Sequence, residues 1–321
     1  MNSLSDPKHT RLLTTLLAIA VGVTSLALAP TSLQAATIGY WRFEASANLG
    51  KDSGSNGLNL TLGGDVGYAA IPGTGAGSWF PDTILQTGAA NTGALLFGTG
   101  TTTRNYAACN ETVDRTTIQN LFAASPSFTI ESIFHYDTHT DYQGLVGRWQ
   151  TSSDRRGWYV RINANGEVVF NYSVDGKAGA TSSGTISSGI TLANDKDYYL
   201  GITFDSTLGG NITFWYQNLS DPTSSLTSVS VENTFGTIFN PLWGVEIGSI
   251  SALSASGTPV TYPRQMASYV DEIRLSTGVL NESQLLVSVP IPVPEPATTV
   301  LIAGVAILIL VLRARHRNSR R

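Results

Sequence analysis

The sequence predicts an all-β protein, a sandwich or jelly roll of two antiparallel sheets, and three observations predict it. Short segments of alternating apolar and polar residues recur through the middle of the chain, each bounded by turn residues. No long stretch carries the 3.6-residue period of a helix. Only 13% of the 321 residues are charged while 32 are Gly, which suits an exported β-protein with many polar turns. A hydrophobic content of 42% rules out a disordered chain.

The expected strands are ATIGYWRFE (36–44), FTIESIFHY (128–136), QGLVGRW (143–149) and GWYVRIN (157–163). After them come GEVVFNYS (166–173), DYYLGITFD (197–205), NITFWYQ (211–217), WGVEIGSI (243–250) and SYVDEIRL (268–275). Asn165-Gly166 is a type I′ hairpin signal between two of them. Asp175-Gly176, Asp205-Ser206 and Gly209-Gly210 mark further turns. Residues 45–127 are richer in Gly and Thr, with weaker strands near Leu58–Leu62 and Ala94–Phe97. No internal repeat is visible, and about 250 residues suit a single all-β domain.

The two ends differ from the middle. Residues 1–36 read as a secretory signal peptide: Lys8 and Arg11 precede the apolar run Leu12–Ala29, and Pro30 breaks it before SLQAA. Cleavage is expected after Ala35 or Ala36; the alternative is an uncleaved anchor. Residues 289–296 (VPIPVPEP) form a stiff, extended linker, because alternating prolines hold the backbone open. Residues 297–312 are uncharged and apolar, and 313–321 carry five Arg. The span reaches about 24 Å as a helix, short of the ~30 Å hydrocarbon core, a mismatch that arginine snorkelling reduces. A single transmembrane helix is therefore expected, with the basic tail held in the cytoplasm.

Between these ends, residues 37–289 hold 12 basic and 21 acidic side chains, a balance of −9. An acidic domain excludes nucleic acid as the expected partner, since phosphate recognition needs a basic face. The single Cys, Cys109, excludes an intrachain disulfide framework and a Cys-based zinc site.

Pro294-Glu295-Pro296, the short apolar span and the terminal Arg cluster resemble the PEP-CTERM sorting signal of Gram-negative bacteria. The resemblance covers roughly the last 30 residues. It implies that Pro294, Glu295 and Pro296 are read by an exosortase, a membrane-embedded peptidase. It also implies passage from the inner membrane to the cell surface or matrix, in association with exopolysaccharide and biofilm. A plain tail anchor is the alternative. Within 37–288, YWRFE followed by KDSGSNGLNLTL, then FTIESIFHY with QGLVGRW, and finally SYVDEIRLSTGVLNESQL resemble LamG-like domains, motif by motif and in order. That resemblance implies a concanavalin A-like jelly roll whose last strand is followed by a short helix, with 65–127 departing from the pattern.

The same resemblance implies a structural calcium near the first and last strands, with Glu44, Asp271 and Asp52 as candidate ligands. Calcium takes six to eight oxygens, which such turns supply. Caps, turn hydrogen bonds or ion pairs with Arg42 or Arg274 are the other use of these carboxylates. Glucanases of this fold resemble one another in an E-x-D-x-(x)-E strand, which places carboxylates at the retaining distance of ~5–5.5 Å. The sequence has no such motif; its nearest pair is Glu131 and Asp137. No Gly-x-Ser-x-Gly is present either, so no Ser-His-Asp enzyme is expected. His135, Asp137, His139 and Asp141 share one side of an ideal strand, but the apolar run ends at Tyr136, so DTHTDY reads as a solvated turn rather than a metal site. Cys109 reads as a bystander in a loop.

Exposed aromatics can stack on sugar rings, and Trp149, Trp158 and Trp215 are the candidate ligand contacts, although strand aromatics also fill cores. The expectation is an exported, non-catalytic LamG-like surface or matrix protein that contacts exopolysaccharide or other surface proteins. A divergent glucanase or lyase, and a purely structural matrix protein, are the alternatives.

Overall fold

The computed structural model describes residues 35–71, 80–98, 105–137, 141–151, 154–177, 179, 181–250 and 265–289. By compactness the chain divides into Met1–Ala36 and Thr37–Arg321, and every described strand belongs to the second unit. Residues 1–34 of the signal region, the Pro294-Glu295-Pro296 motif, the apolar span and the basic tail all lie outside the described residues, as does His139.

In chain order the strands are β1 (Thr37–Trp41), β2 (Thr61–Gly63), β3 (Val66–Ala70), β4 (Thr83–Ile84), β5 (Ala89–Ala90) and β6 (Gly93–Phe97). Next come β7 (Tyr106–Cys109), β8 (Phe128–Tyr136), β9 (Gln143–Trp149), β10 (Arg156–Ile162), β11 (Glu167–Ser173) and β12 (Ser183–Thr191). The last five are β13 (Lys196–Phe204), β14 (Asn211–Asn218), β15 (Thr227–Glu232), β16 (Val245–Ile247) and β17 (Tyr269–Thr277). A first sheet of eight strands runs β15-β14-β13-β8-β17-β6-β3, with β1 also paired to β17. A second sheet of seven runs β12-β11-β10-β9-β16-β7-β2. Every pairing is antiparallel. Two large antiparallel sheets with non-sequential strand order are the architecture of a jelly-roll sandwich.

Alternation on the strands explains the core. Phe128, Ile130, Phe134 and Tyr136 of β8 enter the apolar cluster, together with Trp158, Val160 and Ile162 of β10 and Ile202 and Phe204 of β13. Burying each such side chain contributes roughly 1.5–3 kcal/mol. Phe128 stacks on Trp158 at a centroid distance of 5.2 Å and packs against Phe204 at 5.1 Å, joining the two sheets.

The outer face of the first sheet is also covered. Gln86 N donates to Leu286 O and Leu286 N donates to Glu131 on β8, so the chain after β17 is fastened across that face. Leu285 and Leu286 are fully buried there. Eight of the nine residues of β8 are consequently buried, leaving only His135 in part exposed.

Three local expectations are corrected. Residues Thr112–Ala124 form a helix, α1, where no helical pattern was expected. Its only buried residues are Ile118 and Phe122, one turn apart, and Phe122 packs edge-on against Phe128 at 5.3 Å. At Asn165-Gly166 only Gly166 has positive φ, and Gly166 N donates to Asn163 O while Asn163 N donates to Glu167 O. That is a three-residue loop with a Gly bulge, because a type I′ turn needs positive φ at both central residues. Cys109 sits on β7, fully buried, rather than in a loop. The short helix expected after the last strand is the 3-10 turn Glu282–Gln284.

Candidate functional site

The outer face of the second sheet carries an aromatic and arginine row. Trp158 and Val160 of β10 point into the core, so Tyr159 and Arg161 point away from it. Tyr159 lies opposite Gly147 of β9, where a Cβ would stand 2.5 Å from the Tyr159 Cβ. Glycine is therefore what lets the tyrosine lie across β9. Its ring meets Trp149 edge-on at 4.9 Å. Arg156 stands 5.7 Å from the Trp149 ring centre, and Arg161 stands 4.5 Å from Tyr142 and 6.0 Å from Tyr159. The row runs Arg156, Trp149, Tyr159, Arg161, Tyr142. Beside it, Asn171 pairs with Tyr159 in register, and its buried Oδ1 has no hydrogen-bond partner. The Nε groups of Arg156 and Arg161 are also unpartnered. Tyr159 and Asn171 are buried, and the unpartnered Nε and Oδ1 atoms lie below the surface, so what the face offers a hydroxylated ring is the partly exposed Trp149, Tyr142, Arg156 and Arg161 side chains.

Of the three tryptophans expected to meet ligand, only Trp149 belongs to this row. Trp158 is 1% exposed between Phe122 and Phe128, so it has no surface to offer and is corrected to a core residue. Trp215, half-buried on β14, faces Gly201 and Ser228 in the first sheet and is not brought to the others. Tyr142, Arg156, Arg161 and Asn171 were missed, although the alternation in RGWYVRI already puts Tyr159 and Arg161 on one side.

The carboxylates near the first and last strands form a second cluster. A bulge between Val270 and Glu272 interrupts the pairing of β17 with β8, and both Asp271 and Glu272 are fully buried. Arg42 bridges Glu272 at 3.1 Å and Glu44 at 2.7 Å. Glu44 also accepts from the Thr92 N–H at 2.7 Å and hydroxyl at 2.6 Å. Asn91 Nδ2 donates to Asp271 at 2.6 Å. Burial, and then the neighbouring Glu272 charge, raise the Asp271 carboxyl well above its ordinary range. Burial pushes Glu272 up to about 7. Burial and the Glu272 carboxylate also raise the Tyr40 phenol. Three buried oxygens, Asp271 Oδ1, Glu272 Oε2 and Asn91 Oδ1, have no partner. That all-oxygen donor set fits calcium chemically.

The structure thus brings Glu44 and Asp271 into one cluster, and it does not bring Asp52 there. Asp52 accepts from the backbone N–H groups of Tyr40 at 2.9 Å, Gly54 at 2.8 Å and Leu58 at 3.0 Å. Its work is to close the turn after β1.

Three further groups could carry chemistry. Glu131 is buried and bound by Arg274 Nε at 2.6 Å, Leu286 N at 2.7 Å and Tyr199 OH at 2.9 Å, which fills a carboxylate that otherwise would be the nearest catalytic candidate. The Cys109 thiol is pushed up to about 12 by burial and is not a nucleophile at neutral pH. His135 stands on β8 with Asp197 at 2.7 Å, a bond that raises its pKa.

No family model matches the sequence, and no curated protein matches it. Among solved structures, the chain is similar to domain 4 of AbnA, a GH43 extracellular arabinanase from Geobacillus stearothermophilus, in complex with arabinotriose. That likeness has 12% identity and a TM-score of 0.48 and covers 78% of this chain and 96% of the other. The binding domain of botulinum neurotoxin DC in complex with SialylT gives 13% identity and a TM-score of 0.44, over 77% of this chain and 48% of the other. The binding domain of botulinum neurotoxin serotype C1 gives 13% and 0.44, over 77% and 49%. This chain spans about half the length of the toxin chains it resembles.

Proposed function

We propose that the protein is an exported, non-catalytic sandwich of the cell surface or extracellular matrix that contacts polysaccharide through the outer face of its second sheet. The observation that carries this reading is the row Arg156, Trp149, Tyr159, Arg161, Tyr142. Two guanidinium groups in a domain that is otherwise acidic favour a sugar bearing carboxylates, since Arg recognises planar anions bidentately. The absence of catalysis is supported by the buried, hydrogen-bonded state of Glu131 and by the lack of a paired-carboxylate strand motif in the sequence.

In this reading the sorting motif Pro294, Glu295, Pro296 is handed to an exosortase, and residues 297–312 hold the chain in the inner membrane until then. Among the described residues no helix is long and apolar enough to cross a membrane, so the reading of 297–312 rests on its sequence. The structural calcium of this reading is held by Asp271 and Glu44 beside Asn91.

The experiment is retention of the full-length chain on a panel of neutral and uronate-bearing polysaccharides, with Trp149→Ala and Tyr159→Ala as variants. Binding to uronate-bearing chains, lost in both variants, is expected. Equal retention of wild type and both variants, or release of reducing ends on incubation, would overturn the proposal.

A further inference from the structure

The free end of β8 places a histidine among three aspartates from two parts of the chain. His135 pairs with Asp197 across β8 and β13. Its Nδ1 lies 2.7 Å from Asp197 Oδ1, and Asp197 is only 3% exposed. An ionised carboxylate only accepts, so Nδ1 carries the proton in the neutral ring and Nε2 keeps its lone pair. That lone-pair nitrogen faces Asp195 Oδ1 at 3.6 Å and Asp137 Oδ2 at 4.0 Å. All three ligand atoms lie within 4.8 Å of one another, and no other such group occurs among the described residues.

Tetrahedral bonds of about 2.0–2.1 Å set ligand atoms roughly 3.3 Å apart, so the two exposed carboxylates must draw in, shortening the widest edge of the group from within 4.8 Å, to close around an ion. We propose that His135 Nε2, Asp137 and Asp195 bind one first-row divalent ion, with zinc as the reference metal, and that Asp197 orients the imidazole from behind. The donor set of one imidazole nitrogen and two carboxylates suits such ions, and a buried carboxylate on the far ring nitrogen is their usual second support. Tyr269 closes one side, its ring 6.1 Å from that of His135. The Asp137 and Asp195 side chains are 55% and 81% exposed, so the fourth position opens to solvent and can take water or a group from a partner. Asp195 stands just before β13, sixty residues from His135, and no spacing motif would have joined them.

The test is calorimetric titration of the metal-freed full-length chain with zinc, with cobalt as a spectroscopic reporter of the nitrogen ligand. One ion per chain is expected. His135→Ala and Asp195→Asn should each weaken binding at least tenfold, and Asp197→Asn should weaken it about 10–100-fold without changing the stoichiometry. Asp195 is so exposed that its variant keeps the fold even if the His135 variant does not. No zinc heat in the wild type, unchanged affinity in Asp195→Asn, or calcium bound as tightly as zinc would overturn the assignment.

Discussion

Arg274 lies opposite Glu131 in the register of β17 on β8, and its Nε donates to Glu131 Oε2 over 2.6 Å where Glu131 has no exposure to water. Burial raises the Glu131 carboxyl and Arg274 opposes that rise. Removing one partner of a buried pair costs about 3–5 kcal/mol, because the other charge is left uncompensated. Arg274→Met should therefore destabilise by that amount in urea unfolding. Combining it with Glu131→Leu should recover most of the loss. A single Arg274→Met within 1 kcal/mol of wild type would mean that Glu131 is neutral and needs no guanidinium.

Glu272 gives the stability a pH dependence of definite sign. Its folded pKa of about 7 stands above the ordinary value of 4.5, so the folded state binds this proton more tightly than the unfolded chain. The contribution is complete below pH 4.5 and is lost as pH rises through 7. The shift corresponds to roughly 3 kcal/mol. The wild type should lose about that much relative to Glu272→Gln between mildly acidic and mildly alkaline pH, in melts run with chelator. Parallel pH profiles for the two proteins would contradict it.

Calcium should act on the same cluster from the opposite side. An ion bound by Asp271 and Glu44 stabilises the folded state by mass action. Excess chelator on a metal-free preparation should lower the Tm, and Asp271→Asn should abolish the response. Identical melting curves with calcium and with chelator would leave the cluster to protons alone.

Two tryptophans nine residues apart should behave in opposite ways. Trp158→Ala opens a void between Phe122 and Phe128 and should cost about 3–5 kcal/mol in denaturant unfolding. Trp149→Ala should cost about 1 kcal/mol or less while abolishing polysaccharide retention. A stable Trp158→Ala protein would place that side chain outside the core.

Processing of the C-terminal segment should depend on Pro294, Glu295 and Pro296. Replacing all three by Ala should leave an unprocessed, membrane-retained chain in the native host, while deleting 297–321 should free the domain. Size and fractionation of both variants measure this. Normal processing of the alanine variant would reduce the motif to a linker.

The long strands were legible because each pairs a strict two-residue alternation with clear turn residues; β8 and β9 were expected with the bounds they have. Helix α1 was not, since only Ile118 and Phe122 anchor it and three threonines dilute its propensity. Strands β12 and β15 were missed because Ser and Thr dominate them and most of their residues face solvent. The candidate site was legible in part. Trp149 could be named, but which face of β10 turns toward the core follows from Trp158 packing on Phe128, a contact between strands that no local pattern contains. The same holds for Asp195 beside His135.

The pairing of β1 with β17 also sets how the domain bears load. Thr37 lies beside Ser276 in that pair, so the first strand begins where the last strand ends. Tension between these two points opens the ladder rung by rung, the weakest way to strain a sheet, instead of shearing all its hydrogen bonds at once. A pull entering through the chain beyond Val289 meets the local turn bonds of Ser288 to Leu285 and Glu282 and then Leu286, whose N–H is held by Glu131 and whose carbonyl is held by Gln86. The C-terminal strap therefore works as a strain relief: it takes the force on the middle of the first sheet before the terminal strands feel it.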